Sequence, residues 1–333
     1  MTRISLSQDL PQRLSIVEAS EHTAALIFHS FEHAPKPVRP MTKHLASASG
    51  KGVRTSLLLT SAMDEAGLVP KEAILAAAAV EIFHLATLVH DDVIDDASSR
   101  RGIDSVHVKF SRKEAVICGD YLLCMAVSAI STIYEPYKDL ANKFTDAVER
   151  VCLGELRQYS NNYNTAIRFY EYLRIIRGKT AALFYISAYA GALIGGCPEK
   201  DIVQMGRLGT YIGMIFQIID DCKDYMLDER DALKPTKTDI ASGVVNLPLL
   251  MAFLKEPALR EAAKSTMGNP LKVNGLIHDV HRLDGVGSSL AIVGSYHKKA
   301  NNILKSIHCK KKSEALEKLL SDQLLIAKTF TDK

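Results

Sequence analysis

The chain has 333 residues, 47% hydrophobic and 24% charged, a composition that is ordinary for a soluble globular protein and long enough for one large domain. Its 41 basic and 38 acidic residues leave a net charge of +3, which argues against the strongly basic surface of a general nucleic-acid binder. The six cysteines form no CxxC pair or metal-ligand spacing, so we expect free thiols in a reducing cytosol; the N-terminal residues show no apolar signal-peptide stretch.

Apolar residues recur at three- and four-residue spacings along most of the chain, which predicts helices and almost no strands. The helical patterns cover residues 57–88, 115–134, 140–159, 169–194 and 203–225. The longest apolar run, residues 181–197, is shorter than the roughly 20 residues that span a bilayer, so it is interpreted as a buried core helix. No repeat or low-complexity linker divides the chain. We therefore predict a single all-α domain over residues 1–333.

The first basic element is Gly50-Lys51-Gly52-Val53-Arg54, in which Lys51 and Arg54 lie about one helical turn apart. The small residues beside them would let an anionic ligand approach both cations. Either cation alone would usually be a solvated surface charge, so its interpretation depends on the acidic clusters that follow.

An apolar helical pattern over residues 76–90 ends in the sequence His90-Asp91-Asp92-Val93-Ile94-Asp95-Asp96. Side chains four residues apart share a helix face, so Asp91 and Asp95 are expected to point the same way. Carboxylates held this close repel one another and oppose the helix macrodipole unless a cation intervenes. A solvated helix terminus with scattered acids is the alternative. Ending a buried helix in this way favours a metal site.

A second apolar helix ends in the pentad Asp220-Asp221-Cys222-Lys223-Asp224 and repeats this logic. Gln217 lies one turn before the pentad, where a role facing a substrate is favoured over merely satisfying backbone groups. Lys223 is offset from the aspartates and is expected to face away from a metal. Two such clusters suggest a pair of oxygen-lined sites facing across a cavity, an arrangement that suits Mg²⁺ because it keeps waters and substrate phosphate oxygens.

Further cations accompany the clusters and would suit a diphosphate. Arg100-Arg101-Gly102 follows the first cluster, and Lys179-Thr180 interrupts an otherwise apolar helical run. Lys234 lies in a polar stretch, residues 228–242, that is predicted to be a loop. Lys310-Lys311-Lys312 is predicted to be a solvated turn, with a contact to an acidic membrane surface left open.

These elements, in this order, resemble the trans-polyprenyl diphosphate synthases, which elongate isoprenoid chains head to tail. The paired D-D-x-x-D motifs and the R-R-G are the most specific of them, and the resemblance covers nearly the whole chain. Shorter elements are G-D-Y-L-L at 119–123, G-E-L-R-Q at 154–158, K-T-A at 179–181 and L-P-L at 247–249. Ser49, Leu233 and Val244 depart from the family pattern; with Val244 one expected cation of the loop over the allylic diphosphate is missing.

The resemblance implies one isoprenoid synthase-like helical bundle around a central active-site cavity. It implies a cytoplasmic prenyltransferase that condenses isopentenyl diphosphate with an allylic diphosphate primer, using roughly two or three Mg²⁺ ions per active site. It also implies a homodimer, with a heterodimer and a peripheral membrane contact for product release left open. A class I terpene cyclase shares the metal chemistry, but it needs no second diphosphate site of the kind that Lys51, Arg54 and Arg101 suggest.

The resemblance assigns roles to individual residues. The metal ligands would be Asp91, Asp92, Asp95, Asp220, Asp221 and Asp224. Isopentenyl diphosphate would be bound by Lys51, Arg54, His84 and Arg101, and the allylic diphosphate by Arg100, Lys179 and Lys234. Lys179, Thr180 and Gln217 would carry the chemistry, the first at the leaving diphosphate and the other two near the allylic cation.

Product length is predicted from the helix before Asp91, along which the growing tail should run. A bulky aromatic residue near position 86 stops the chain early in the family, so small Ala86, with its neighbour Thr87, implies a longer product. Phe83 would form the floor of the tunnel or merely pack in the core. We expect a product of about six to eight isoprene units, with its tail running along this helix. Such a product would serve as the side chain of a quinone. A short-chain geranylgeranyl or farnesyl diphosphate synthase and the catalytic subunit of a heteromeric synthase remain alternatives.

Overall fold

The computed structural model describes residues 10–47, 50, 52–133, 137–225, 238–269 and 272–328. These residues are mostly helical, which confirms the all-α prediction. The chain divides into two compact units. The first unit comprises Met1–Ala147, Leu183–Gly209 and Ile307–Leu316, and the second unit comprises Val148–Ala182, Thr210–Ser306 and Glu317–Lys333. The single domain over residues 1–333 stays a prediction.

The elements follow one another along the chain with short connections. Their bounds are β1 (Arg13–Ser15), α1 (Ile16–Glu32), α2 (Arg39–Ala46), α3 (Val53–Ala62), β2 (Leu68–Pro70), α4 (Glu72–Ile94), β3 (Ser99–Arg100), β4 (Ile103–Asp104), α5 (Val106–Lys109), α6 (Arg112–Thr132), α7 (Lys138–Ser160), α8 (Phe169–Ile176), a π-helical turn (Arg177–Ala181), α9 (Ala182–Ile194), α10 (Glu199–Lys223), α11 (Thr238–Ala241), α12 (Leu247–Lys255), α13 (Leu259–Thr266), α14 (Val273–Arg282), α15 (Gly285–Leu304) and α16 (Lys310–Lys328).

Helix α4 forms the centre of the first unit, where it packs against α1, α3 and α6. Its alanine run, residues 76–79, is fully buried, and such small side chains let neighbouring helices approach closely. Gly119 of α6 serves the same purpose, because a Cβ there would overlap the imidazole of His90. The His90 Nε2 atom lies 3.1 Å from the carbonyl oxygen of Val116. The glycine of the G-D-Y-L-L element therefore lets α6 pack against the end of α4.

Helix α9 is the buried helix that its apolar sequence predicts. Added Cβ atoms at Gly191 and Gly195 would collide with the backbone of α3, at Leu58 and Ala62 respectively. These two glycines let the backbones of α9 and α3 approach directly. The interpretation of residues 181–197 as a core helix is confirmed for α9.

Among the residues that the structure describes, three helices, α4, α6 and α10, are long and apolar enough to cross a membrane by length and composition alone. The most apolar windows of α4 and α10 are 67% and 61% buried within the protein, so packing accounts for most of their apolar character. The corresponding window of α6 is 44% buried, and Val116 and Ile117 are among its exposed side chains.

In the second unit, α12 packs against α14 and α15. The L-P-L element begins α12, with Pro248 in the first turn, where a missing backbone N–H costs no helical hydrogen bond. Leu247 and Leu249 are fully buried. Gly285, at the start of α15, packs against the carbonyl group of Pro248, where a Cβ would not fit. The L-P-L element therefore serves as the buried start of a core helix.

The lysine cluster at residues 310–312 differs from its prediction as a solvated turn. It forms the first turn of α16, and Lys312 is only 5% exposed. The Lys311 Nζ atom donates a hydrogen bond to the carbonyl oxygen of Ala66 at 2.8 Å. The prediction was wrong because a run of like charges usually faces water, whereas two of these three side chains contact loops within the first unit.

Candidate active site

The first aspartate cluster stands at the end of α4, where the helical backbone continues through Asp95. The amide of Asp95 donates to the carbonyl oxygen of Asp91 at 2.8 Å, so these two residues lie one turn apart, as the sequence predicts. Asp92 is only 4% exposed, and its Oδ1 atom accepts a hydrogen bond from Nε of Arg100 at 2.5 Å. Beyond the helix, Arg112 pairs with Asp96 and donates to the Val93 carbonyl oxygen at 3.2 Å. Arg100 and Arg112 therefore offset part of the negative charge at this helix terminus.

The R-R-G element is a tight β-hairpin. Strands β3 and β4 pair Ser99 with Asp104 and Arg100 with Ile103, which leaves Arg101 and Gly102 as a two-residue loop. Both loop residues have positive φ angles, 52° and 81°, as the favoured type I′ hairpin turn requires. The turn separates the two arginines: Arg100 reaches Asp92, and Arg101 lies against Gly50, where a Cβ would overlap its guanidinium group. The predicted contact of Arg100 with the allylic diphosphate stays a prediction.

Arg54, His84 and Arg101 come together in the first unit as the basic group expected for isopentenyl diphosphate. The Arg54 Nη1 atom lies 3.1 Å from His84 Nε2, and the Arg54 guanidinium lies over the ring of Phe184, 4.7 Å from its centroid. Burial, followed by the charges of Arg54, Arg101 and Arg100, holds the pKa of His84 well below its usual value of 6.5. A guanidinium can only donate, so Nε2 of His84 accepts and the proton of the neutral ring is on Nδ1. Lys51, the fourth predicted member, lies outside the described residues.

A cleft of about 310 Å³ opens beside this basic group. Its walls come from α1, α2, α3 and α4 together with Gly50, Gly52 and Arg101. Glu81 on α4 and Thr55 on α3 are among its polar members, and their side-chain oxygens are 3.4 Å apart. Gly52, the residue before α3, has a φ of 57°, a conformation that favours glycine, and it lines the cleft together with Gly50.

The low pKa of His84 predicts a pH-dependent stability. The unfolded chain takes up a proton at this residue below about pH 6.5, and the folded protein does so only at lower pH. The contribution of neutral His84 to the free energy of unfolding is therefore fully present above pH 6.5, the pKa in the unfolded chain. It is lost as the pH falls from that pKa towards the lower pKa of His84 in the folded protein. We expect His84→Gln to flatten the slope of the urea midpoint against pH just below 6.5. A slope equal to that of the parent protein would show that His84 does not remain neutral in the fold.

The second aspartate cluster stands at the end of α10 and includes one buried carboxylate. Asp221 is 4% exposed and accepts hydrogen bonds from the Tyr172 hydroxyl at 2.6 Å and from the Gln217 amide nitrogen at 2.8 Å. The Gln217 amide oxygen in turn accepts from the Thr180 hydroxyl at 2.5 Å. These four side chains, Thr180, Gln217, Asp221 and Tyr172, form one chain of hydrogen bonds, which we call the Gln217 network. The predicted partners Thr180 and Gln217 are thus brought together.

Tyr172 is a site residue that the sequence analysis missed. Burial, and next the charge of Asp221, raises the pKa of Tyr172 well above its usual value, so the hydroxyl remains a hydrogen-bond donor. The only signal in the sequence is its position on the helical run two turns before Lys179. Its role depends on a contact with Asp221 of α10, which lies 49 residues away along the chain.

A π-helical turn presents Lys179 and Thr180. Such turns often occur at functional sites, because the extra residue redirects the side chains beside it. Here the backbone of α7 reaches the turn directly: a Cβ at Gly154 would overlap the backbone nitrogen of Lys179. The next residue, Glu155, holds the Lys179 ammonium group at 2.9 Å. The G-E-L-R-Q element therefore supplies the close approach with its glycine and the counter-ion with its glutamate.

The exposed members of the second cluster are arranged differently from the prediction. Lys223 does not face away, because its Nζ atom lies 2.7 Å from Oδ1 of Asp220. The reason is that residues three apart on a helix are neighbours, so a flexible lysine can fold back on the preceding aspartate. Asp224 follows the last residue of α10 and is half-buried. Lys234 and Leu233 lie outside the described residues, as does most of the predicted loop.

The six aspartates fit a divalent cation by the chemistry of their donor atoms. Both clusters offer only carboxylate oxygens, which hard cations prefer, and each combines one buried aspartate with half-buried or exposed ones. Within the described ranges, no three His, Cys, Asp or Glu side chains are grouped closely enough to hold an ion by themselves. The residues therefore suit an ion that shares its coordination with waters and phosphate oxygens rather than one enclosed by protein.

The predicted length-determining residues line the buried side of α4. Ala86 is 2% exposed and Phe83 is 3% exposed, and the ring of Phe83 packs edge-on against Phe144 of α7 with centroids 5.9 Å apart. The Thr87 hydroxyl donates to the carbonyl oxygen of His84 at 2.8 Å. Thr87 is thus satisfied within its own helix, while Phe83 is held in place by a second aromatic ring.

This chain is similar to known proteins of one family along most of its length. The model of the polyprenyl synthetase family matches residues 35–281. Component 2 of the heptaprenyl diphosphate synthase from Bacillus subtilis is 35% identical over 259 residues, which cover 77% of this chain and 73% of the relative. Geranylgeranyl diphosphate synthase from Saccharolobus solfataricus is 34% identical, with coverage of 70% and 72%. The solved polyprenyl synthase from Caulobacter crescentus, complexed with calcium and isoprenyl diphosphate, superposes with a TM-score of 0.83 at 26% identity, with coverage of 94% and 96%.

The chain belongs to the polyprenyl synthetase family. It is a prenyltransferase, a trans-prenyl diphosphate synthase, and its named relatives make products of different lengths.

Proposed function

We propose that the enzyme is a medium-chain all-trans polyprenyl diphosphate synthase that extends farnesyl or geranylgeranyl diphosphate to about six to eight isoprene units, given the length of α4 available to the tail. Small, buried Ala86 is the observation that carries this range, because a bulky side chain at this position of α4 would end the tail. The heptaprenyl synthase component supports the same range. The geranylgeranyl synthase keeps a short-chain enzyme as the second candidate. A product of six to eight units would suit a quinone side chain.

The basic group of the first unit would hold isopentenyl diphosphate. Arg54 and Arg101 supply fixed charge, and arginine suits bidentate contact with phosphate oxygens. Neutral His84 would donate from Nδ1 or be displaced from Arg54 by the anion. Lys51 would complete this set. Holding the second substrate removes much of the entropic cost of bringing its alkene to the reacting carbon.

In the second unit, Lys179 and the Gln217 network would serve the allylic diphosphate. The C1–oxygen bond of the primer breaks, diphosphate leaves with the electron pair, and an allylic cation remains. Lys179, positioned by Glu155, would offset the charge of the leaving group. The Thr180 hydroxyl donates a hydrogen bond to the amide oxygen of Gln217, so the lone pairs of the hydroxyl oxygen are available to face the cation.

The condensation then proceeds without a protein base. The terminal alkene carbon of isopentenyl diphosphate attacks the allylic C1, and a C–C bond forms. The positive charge then lies on C3 of the isopentenyl unit. A proton leaves the adjacent C2, its C–H electrons form the C2–C3 double bond, and the released diphosphate is the base that we propose. Divalent cations such as Mg²⁺ would supply Lewis-acid stabilisation of the leaving diphosphate. The residues that would bind them are Asp91, Asp92 and Asp95 in the first unit and Asp220, Asp221 and Asp224 in the second. Arg100, which now neutralises Asp92, would contribute a further positive charge.

We further propose that the enzyme acts in the cytoplasm as a homodimer. The exposed apolar side chains of α6, including Val116 and Ile117, support burial of that face against a second copy. The relative named component 2 supports the alternative, a catalytic subunit that needs a second polypeptide. Release of a long apolar product would favour a peripheral contact with a membrane.

Product analysis of the purified protein tests the proposal. Incubation with isopentenyl diphosphate, farnesyl diphosphate and Mg²⁺ is expected to give a dephosphorylated alcohol of about six to eight isoprene units on chromatography. A product that ends at four units would select the short-chain enzyme. Absence of any product from the protein alone, with activity restored by a second polypeptide, would select the heteromeric alternative.

Replacement of Ala86 tests the tail path separately. Ala86→Tyr is expected to shorten the main product by one or more isoprene units, because the ring would occupy the space beside α4. If that space is already filled, the larger ring would instead destabilise the core by about 1–3 kcal/mol. Thermal melting of the variant separates these outcomes: a parent-like melting temperature with an unchanged product would remove Ala86 from the tail path.

A further inference from the structure

The first turn of α16 is fastened to two loops of the first unit by three nearby side chains. The Cys309 sulfur lies 3.4 Å from the carbonyl oxygen of Asp64, and Lys311 donates to the carbonyl oxygen of Ala66. Lys312 points into the protein, and its Nζ atom lies 3.2 Å from the sulfur of Cys197, in the turn between α9 and α10. None of these residues belongs to the active site described above.

The contact between Lys312 and Cys197 is chemically unusual. Lys312 is 5% exposed, and within the described part of the chain the sulfur of Cys197 is the one hydrogen-bond or ion-pair partner of its Nζ atom. A buried ammonium group is costly unless an anion compensates it. Since no carboxylate does so among the described residues, the sulfur of Cys197 is the acceptor that the geometry offers to Lys312.

The other cysteines differ from Cys197 in their surroundings. Cys118 and Cys222 are buried, and burial raises the pKa of the Cys118 thiol to about 12. Cys124 and Cys152 are exposed, and no ion pair or hydrogen bond joins either sulfur to a cation within the described residues. Reactive cysteines are partly exposed and lie beside a cation, and half-buried Cys197 meets both conditions.

We propose that Cys197 and Lys312 form a redox-responsive site at which hydrogen peroxide converts the thiol–amine pair into a reversible sulfenamide cross-link. The thiolate attacks one peroxide oxygen, the O–O bond breaks, and the Lys312 ammonium proton passes to the departing hydroxide to give water. Sulfur has then lost two electrons to peroxide as a sulfenic acid, and Lys312 is left as a neutral amine beside it. The amine attacks sulfur, the S–O bond breaks, and a second water leaves.

The balance is one thiol, one amine and one peroxide giving one S–N bond and two waters. The link would tie the turn after α9 covalently to the start of α16. A thiol reductant would reverse it by attack on the sulfur, which returns the free amine and thiol. The cross-link would therefore form under oxidising conditions, and it would involve no residue of the candidate active site.

Peptide mapping of the full-length protein tests the proposal. After treatment with equimolar hydrogen peroxide and digestion by trypsin without reductant, we expect a linked peptide pair about 2 Da lighter than the sum of its reduced members. Trypsin should fail to cleave after Lys312, because its amine is bound, and dithiothreitol should restore both peptides. Cys197 should also be oxidised faster than exposed Cys124 and Cys152, which serve as internal references.

Three variants separate this link from its alternatives. Cys309→Ser should leave the link intact. If the link is instead lost in this variant, and trypsin cleaves after Lys312 in the oxidised parent protein, the link is a Cys197–Cys309 disulfide and the proposal is overturned. Lys312→Met keeps the unbranched apolar stem and should slow the oxidation of Cys197 while leaving its sulfenic acid open to trapping by dimedone. If the methionine variant does not fold, Lys312→Arg keeps the cation but lacks a nucleophilic amine, so Cys197 should be oxidised readily without a link. An unchanged oxidation rate in Lys312→Met would overturn the proposal.

Discussion

The Gly154→Ala variant is expected to lose about 100-fold in kcat, which is the cost of displacing reacting groups by about an ångström. The added Cβ would overlap the backbone nitrogen of Lys179, and a backbone atom cannot move aside as the end of a flexible side chain can. Either α7 or the π-helical turn must therefore shift, and the turn carries both Lys179 and Thr180. Steady-state kinetics with isopentenyl and farnesyl diphosphate give the measurement.

The same substitution should also lower the free energy of unfolding. Overpacking at a tight backbone contact costs about 1–3 kcal/mol, against which the better helix propensity of alanine returns roughly 0.5–1 kcal/mol. Gly294→Ala is the matched control, because it lies inside α15 and a Cβ there would meet no atom of the described residues within 4 Å. The control should be slightly stabilised and fully active. Equal activity of the two variants would show that α7 does not constrain the π-helical turn.

Tyr172→Phe is expected to lower kcat by roughly tenfold to hundredfold. The substitution removes the hydroxyl that donates to Asp221, and the loss of a hydrogen bond to a buried charged group costs about 1–3 kcal/mol. Asp221 would then rely on Gln217 alone within the network, so Gln217 and Thr180 would be less firmly oriented. The phenyl ring retains the packing of Tyr172, so the KM for isopentenyl diphosphate, whose proposed site is in the first unit, should change little.

Tyr170→Phe provides the control for this prediction. Tyr170 belongs to the same helix, α8, but its side chain is exposed, so loss of its hydroxyl should leave kcat and the melting temperature at the parent values. If Tyr172→Phe were destabilised with unchanged kcat, Tyr172 would be a purely structural residue. If kcat falls even at a saturating concentration of Mg²⁺, the hydroxyl of Tyr172 acts by orienting the Gln217 network rather than by raising the affinity for the metal.

The sequence predicted most of the helices and both aspartate clusters, because these features depend on residues close together in the chain. Asp91 and Asp95 share a helix face through a local backbone hydrogen bond, and the apolar runs before the clusters become α4 and α10. The paired pentads likewise identified the family, which the match over residues 35–281 confirms. Local periodicity is sufficient for such predictions, since helix geometry fixes which neighbours meet.

The partners of the charged residues depended on the tertiary structure. Neither Lys312, buried against Cys197, nor Tyr172, bonded to Asp221, could be placed from the sequence, because both contacts join residues far apart in the chain. The sequence by itself determined the helical class, the carboxylates and the family of this protein. Only the tertiary structure decided which groups neutralise the buried carboxylates and how closely α7 approaches the π-helical turn. The physical reason is that side-chain pairing and backbone packing depend on which helices meet, and a local pattern does not contain that information.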